Sequence, residues 1–456
     1  MPEIVINNDL SIKQRANLVW KLSIPAILAQ ITSIIMQYID AGMVGKLGAS
    51  QSASIGLMST TIWLIGGLCS SASTGFSVQV AQYIGANDIK RAKGTCVKAL
   101  ISTSVFAIML TFIGVFLSFF LPGWLGGSEK ICRDASIYFL IYCISLPVIQ
   151  LNSLAGGMLQ CSGNMKVPSF LNGLMCVLDV IFNALLIFPA SSYEVEGMSF
   201  RLPGMGLGVM GAALGTALSQ VVIMCIMLWF LCVKSVLKFD KSIKNTECSG
   251  IIKRAIKIAT PVAFEHTALC GAMIVTTKIV APLGTIAIAA NSFAITAESL
   301  CYMPGYGIAA AATTLVGQSF GAGYMKMSKK LAWMCVAFGV GIMAVTGAVM
   351  YYICPWMMMF LTPDEQVREL GTQILRIEMF AEPLFGASIV ASGALRGAGD
   401  TFIPSILNLI SIWGVRISLS LLLVGSYGLK GVWFGMCVEL CFRGIILLIR
   451  LIKEKA

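Results

Sequence analysis

Charge is what this chain has least of. Only 12% of its 456 residues are Asp, Glu, Lys or Arg, against about 25% in ordinary soluble domains. So few charges cannot cover the surface of a soluble protein this long, and 57% apolar residues exclude a disordered one. Histidine is rarer still: His266 stands alone, and no Cys/His spacing suits zinc. No Walker motif is present, so ATP is not the expected driving force and an ion gradient is. Gly206, Gly208 and Gly211 fit G-x-G-x-x-G, but a membrane helix follows them and no βαβ unit surrounds them, so no nucleotide site is expected. No loop is long enough to house a catalytic cluster, and an enzyme is not expected. The stretch from Met1 to Lys21 lacks the apolar core of a signal peptide, so the first apolar run is expected to be a permanent span.

Apolar runs of about 20 residues are what is there in abundance. Spans are predicted near 17–42, 52–83, 91–121, 131–160, 167–189 and 206–233, then near 256–281, 288–319, 328–360, 366–396, 402–425 and 428–450. All are expected to be helices, because an open sheet cannot satisfy its backbone in lipid. The predicted fold is thus an all-α polytopic membrane protein with twelve transmembrane helices. The 15 cysteines sit mostly inside these runs, as at Cys69, Cys143 and Cys270, where they act as small apolar residues; no disulfide or metal cluster is expected.

Acids are scarcer than bases, 21 against 32, for a net charge of +11. The bases form no nucleic-acid-binding face; they flank the spans. One side takes 22 of them, including Lys13, Arg15, Lys90, Lys166, Lys326 and the 234–257 loop, and the other takes 6. That bias predicts both termini in the cytoplasm of a bacterial inner membrane. The expected segments are an N-terminus at 1–16, a six-helix lobe at 17–233, a basic linker at 234–255, a second lobe at 256–450 and a tail at 451–456. Lipid is the expected surrounding, with neither nucleic acid nor nucleotide as partner, and the chain is expected to be a monomer.

A shift of 236 residues lays the chain on itself without a gap over much of each half. Pro25 falls on Pro261, Leu47-Gly48 on Leu283-Gly284, Gln82 on Gln318, Gly85-Ala86 on Gly321-Ala322, Pro147 on Pro383 and Asn172 on Asn408. Six spans per repeat is an even number, so the two bundles enter the membrane alike and are related by a pseudo-twofold along the membrane normal. Two such bundles enclose a cavity, and rocking them gives alternating access.

Several stretches resemble one family. They are YIDAGMVGKLG (38–48), LDVIFNALLIF (178–188), GAALGTA (211–217), GALRGAGDT (393–401), and the pair VAQYIGA (80–86) and LVGQSFGAG (315–323). The chain is similar throughout to the multidrug and toxic compound extrusion (MATE) family, and to its bacterial DNA-damage-inducible branch in carrying one aspartate late in span 1 and another in span 5. The resemblance implies an exporter that exchanges organic cations for protons or sodium, with no other cofactor. A lipid-linked sugar flippase of the same superfamily is the alternative; such proteins carry cavity arginines, and here acids outnumber bases within the spans.

A charged acid at mid-bilayer costs at least about 2.5–3.5 kcal/mol, so each one within a span demands a reason. Asp40 and Asp179 fall in the first half. Burial and a second nearby carboxylate both disfavour the charged form of a carboxyl, so such a pair could take up a proton or hold sodium with neutral oxygens. The resemblance makes these two aspartates the coupling-cation site, with Asn152 and Thr216 at matching positions and Tyr38 and Asn183 nearby. Met175 stands where the family often has asparagine, which favours protons over sodium. The repeat equivalents of the aspartates, Thr276 and Val415, are not acidic. In the second half Glu265, Glu298, Glu378 and Glu382, with Gln30 from the first, are the expected cavity residues for a cationic substrate. Pairing with Arg376 or Arg416 is the other reading of Glu378 and Glu382, and Glu439 is expected to pair with Arg443 at i+4.

Overall fold

The computed structural model describes residues 10–195, 198–239 and 250–453. Part of the expected N-terminal segment, residues 240–249 of the 234–255 linker and the last three residues of the tail lie outside the described residues. The first half contains α1 Ile12–Gly45, α2 Ala49–Gly85, α3 Ile89–Ser118, the single turn α4 Leu121–Trp124, α5 Glu129–Cys161, α6 Lys166–Ile187 and α7 Gly208–Trp229, which runs on through a π-turn to Lys234. The second contains α8 Ile251–Val280, α9 Thr285–Gly321, α10 Met325–Leu361, α11 Glu365–Met379, α12 Glu382–Ala398, α13 Phe402–Ile410, a π-turn at Ser411–Ile417, α14 Ser418–Tyr427 and α15 Leu429–Lys453.

Among the described residues, eleven stretches are long and apolar enough to cross a membrane. The tenth of the twelve expected spans is in two pieces, α11 and α12, parted at Phe380-Ala381 just before Pro383, which lies in the first turn of α12, where its missing N–H costs nothing. One departure from an all-helical chain is a hairpin between α6 and α7. Its strands, β1 Pro189–Val195 and β2 Met198–Met205, pair antiparallel outside the spans, where water satisfies an open edge. Polar side chains start several helices: Ser11 and Gln14 form a capping box on α1, and Asp88 and Asp364 accept from the backbone of Arg91 and Val367. Phe112 and Phe116 of α3, and Tyr352, Trp356 and Phe360 of α10, are exposed, as suits faces turned to lipid.

The helix packing repeats in the two halves. α2 lies on α5 as α9 lies on α12, and α1 crosses to α9 as α8 crosses to α2. Val19, Leu22, Ala26 and Ile27 of α1 therefore share a core with Ile308, Leu315, Val390 and Leu447 of the second half. Ile251 and Ala255 of α8 share one with Phe76, Val80, Leu154 and Ile223 of the first. At its other end each helix returns to its own half, Val44 against Ile187 and Ala212, and Ala272 against Ile412 and Ile417. Pro25 and Pro261 lie in these two helices, where each removes one backbone hydrogen bond and eases a bend.

The face on which α1 begins and α15 ends carries most of the lysines and is called the basic face here. There α2 and α9 cross at contact distance. A Cβ on Gly85 would collide with the Gln318 carbonyl, and one on Gly321 with the Gln82 carbonyl. Apolar burial gives no net drive in lipid, so such close packing of small residues is what holds helices together. Gln82 Nε2 donates to the Gly397 carbonyl (3.0 Å), and Gln318 Nε2 donates to that of Cys161 (2.8 Å). These two bonds are related by the 236-residue shift. Together they close the basic face with one reciprocal latch.

Candidate functional site

Asp179 and Asn183 lie one turn apart on α6, both fully buried, and Asp40 on α1 faces them. Asn183 Nδ2 donates to Asp40 Oδ1 (2.9 Å) and to Asp179 Oδ2 (2.9 Å), one N–H to each. Ser219 of α7 points its Oγ at Asp179 Oδ1 (3.3 Å) and also donates to the Thr216 carbonyl (2.8 Å). The two carboxyls lie within hydrogen-bond reach of each other. Room for this cluster depends on Gly215, where a Cβ would overlap the Asn183 side chain. Tyr138 of α5 stands within electrostatic reach of both aspartates.

Of the other first-half candidates, Tyr38 and Asn152 lie apart from this cluster. Tyr38 donates its hydroxyl to the Thr296 carbonyl of α9 (2.7 Å), which ties the two halves together. Asn152 lines the cavity described below, with its Oδ1 buried and unpartnered. Thr216 meets the cluster through its backbone carbonyl.

A cavity of about 440 Å³ lies between the halves. Its wall is rich in hydroxyls and carboxamides, among them Ser73, Ser77, Asn152, Asn172 and Gln220, with Tyr306 of α9. Asn172 and Met175 reach it from α6, and Asp179 lies one turn further along the same helix. Ser77 Oγ and Gln220 Oε1 are buried without a partner, which leaves them available to cargo or water. Among the described residues, the only ionised one on this wall is Arg396.

Glu265 neutralises that arginine. Its two oxygens accept from Arg396 Nη2 (3.1 and 3.2 Å), Ser405 Oγ (2.7 Å) and Asn408 Nδ2 (2.7 Å), which binds α8 to α12 and α13. His266 lies beside Trp63 of α2, ring centroids 5.3 Å apart. Glu298, Glu378 and Glu382 are buried and come together from α9, α11 and α12, with Glu298 and Glu378 within hydrogen-bond reach. Among the described residues no amide, hydroxyl or basic side chain donates to the oxygens of Glu378 or Glu382. These three glutamates, like Gln30 on α1, are not on the cavity wall. Arg376 caps the Tyr351 carbonyl and ring instead of pairing with an acid, and Arg416 reaches Met436 sulfur. Glu439 pairs with Arg443 (2.8 Å), as their i+4 spacing predicts.

Ser219, Gly215 and Arg396 are absent from the set of site residues read off the sequence. Ser219 gives no signal there, being one serine among many in the spans. Gly215 and Arg396 lie inside GAALGTA and GALRGAGDT, but nothing local states what either faces.

Known proteins fit this geometry. The MatE family model matches twice, at residues 25–185 and 261–422, and the two matches start 236 residues apart. The chain is 24% identical over 440 residues to a probable multidrug resistance protein NorM of Thermotoga maritima, covering 95% of this chain and 92% of that one. It is 26% identical over 440 residues to a probable NorM of Deinococcus radiodurans, covering 94% and 93%. In fold it is similar to a mutant of the Vibrio cholerae MATE transporter VcmN, with a TM-score of 0.88 at 17% identity over 97% of each chain. A family model that fits both halves, on a two-bundle membrane fold, leads to one conclusion: the chain belongs to the MatE family of membrane transporters and is not an enzyme.

Proposed function

We propose that this protein exports organic cations across a bacterial inner membrane in exchange for protons, with Asp40 and Asp179 as the coupling pair. The observation that carries this reading is the bridging amide of Asn183, which gives one N–H to each of two carboxyls, one of them a turn beyond the cavity wall on α6. A proton taken up by either carboxyl removes repulsion and rearranges that bridge, which couples the charge state to the packing of α1 against α6. Sodium is the weaker reading. It needs an oxygen where Asn183 now points nitrogen, and so a turned-over amide. The aspartate pair also favours the DNA-damage-inducible branch over its NorM-like relatives.

Cationic cargo follows from the charges left over. Arg396 is cancelled by Glu265 and Arg443 by Glu439, so Asp40, Asp179, Glu298, Glu378 and Glu382 outnumber the remaining arginines in the spans. The same pairing weighs against a lipid-linked sugar flippase, which needs an arginine free to hold phosphate. The basic face is the cytoplasmic one by the lysine bias, and the monomer is the working unit.

The test is ethidium transport in inverted vesicles, energised in turn by a proton and a sodium gradient. Proton-driven transport that is lost in both Asp40→Asn and Asp179→Asn, at unchanged expression, supports the reading. Unchanged transport in both variants refutes it, and transport driven by sodium alone moves the site to sodium.

A further inference from the structure

On the basic face a groove of about 690 Å³ opens between α1 and α10, helices of different halves. Four bases line it: Arg15 from the first turn of α1, and Lys326, Lys329 and Lys330 from the first turns of α10. No acid does. Past the bases the same α10 stripe continues as Trp333, Met334 and Ala337. The spacing 326, 329, 330, 333, 334, 337 keeps all six on one helix face, with the apolar end about 10 Å deeper into the membrane at 1.5 Å per residue. Lys329 is held by donation to the Ile452 carbonyl at the end of α15 (2.9 Å), and Arg15 by the Ser11 carbonyl (3.4 Å). Below the groove Trp20 of α1 meets Phe338 of α10 edge-on at 5.4 Å, so the two helices are joined there and apart above.

We propose that this groove binds an anionic phospholipid, one with two phosphates best. The phosphates lie among Arg15, Lys326, Lys329 and Lys330, and the acyl chains run down past Trp333 and Met334. Its order of groups matches such a lipid and nothing soluble: cations at the headgroup level, a tryptophan at the interface, then apolar wall at acyl depth. The groove is not a by-product of the repeat. The matching stripe on α3 reads Lys90, Lys93, Gly94, Val97, Lys98, Ile101, so the equivalents of Lys330 and Trp333 are missing. Because the site spans α1 and α10, a lipid in it ties the halves together on the face that the glutamine latch closes.

The test is thermal unfolding of the full chain in uncharged detergent, titrated with cardiolipin, phosphatidylglycerol, phosphatidylcholine or inorganic phosphate. Cardiolipin should raise Tm most, phosphatidylglycerol less, and the other two not at all. Lys326→Gln/Lys330→Gln should weaken the cardiolipin response about tenfold in midpoint, and Trp333→Ala should weaken it without loss of charge. Lys90→Gln/Lys253→Gln removes the same charge from the same face and should leave the response intact. A wild-type response in Lys326→Gln/Lys330→Gln overturns the site. So does an equal loss in the Lys90/Lys253 control, which would mean diffuse surface charge. Equal protection by inorganic phosphate overturns the lipid assignment. Native mass spectrometry of bound cardiolipin reads the same variants if one of them unfolds too early for a clean Tm.

Discussion

The two halves of this molecule share a backbone plan and differ in their chemistry. Gln82 and Gln318 make the same hydrogen bond to partners related by the repeat, and Gly85 and Gly321 allow the same close crossing. The acids follow no such rule. In the first half Asp40 and Asp179 meet across an asparagine. In the second, the equivalent positions are Thr276 and Val415, and the carboxyls stand elsewhere: Glu265 locked to Arg396, Glu439 locked to Arg443, and three glutamates gathered at the break between α11 and α12. The contacts that join the two lobes are thus kept symmetric, and the carboxyls proposed to sense an ion are not. Closure needs both lobes to meet in register, whereas one coupling site per cycle is enough.

The largest expected effect comes from charge removal at the coupling pair. Asp179→Asn should reduce ethidium transport to background with normal expression, while Thr276→Val at the position equivalent to Asp40 should keep most of it. Next comes the space around the pair: Gly215→Val should displace Asn183 and lower transport at least tenfold, and the milder Gly215→Ala should lower it less. The Glu265 contact should behave as architecture. Arg396→Ala leaves a buried carboxylate unpaired and should cost about 3 kcal/mol of stability, somewhat less because the arginine is partly exposed, while Glu265→Gln/Arg396→Gln should cost less than the single change. The smallest effect tests the symmetry itself. Gln318→Leu removes one hydrogen bond worth about 1 kcal/mol, whereas Gln82→Leu also removes the acceptor of Arg254 Nη2, so thermal unfolding should show the larger shift for Gln82→Leu. Equal shifts would mean that the Arg254 contact adds nothing to the latch.

Much of this was legible in the sequence because lipid leaves few choices. A run such as Ile251–Val280 has to be a helix, and Pro25 over Pro261 fixes the repeat. Asp40, Asp179 and Asn183 were legible because an acid or amide within a span must have a reason. Ser219 was not, since a serine bonds its own helix as readily as a neighbour's carboxylate. Asn152 faces the cavity and Tyr38 bonds the α9 backbone because rotation about a helix axis, set by packing, decides where a span residue points. The partner of Glu265 lay 131 residues away in Arg396, and spacing along the chain carries no sign of that contact. The hairpin at 189–205 was hidden because a short polar segment between two spans reads as loop.

The account turns on which carboxyls carry the exchanged proton. Proteoliposomes with an internal pH dye, loaded with ethidium and otherwise at equal pH, measure proton movement driven by the ethidium gradient alone. The account predicts a proton flux in the unaltered protein and in Glu378→Gln, and none in Asp40→Asn/Asp179→Asn. A flux that persists without the two aspartates and disappears in Glu378→Gln would move coupling to the second half and contradict it.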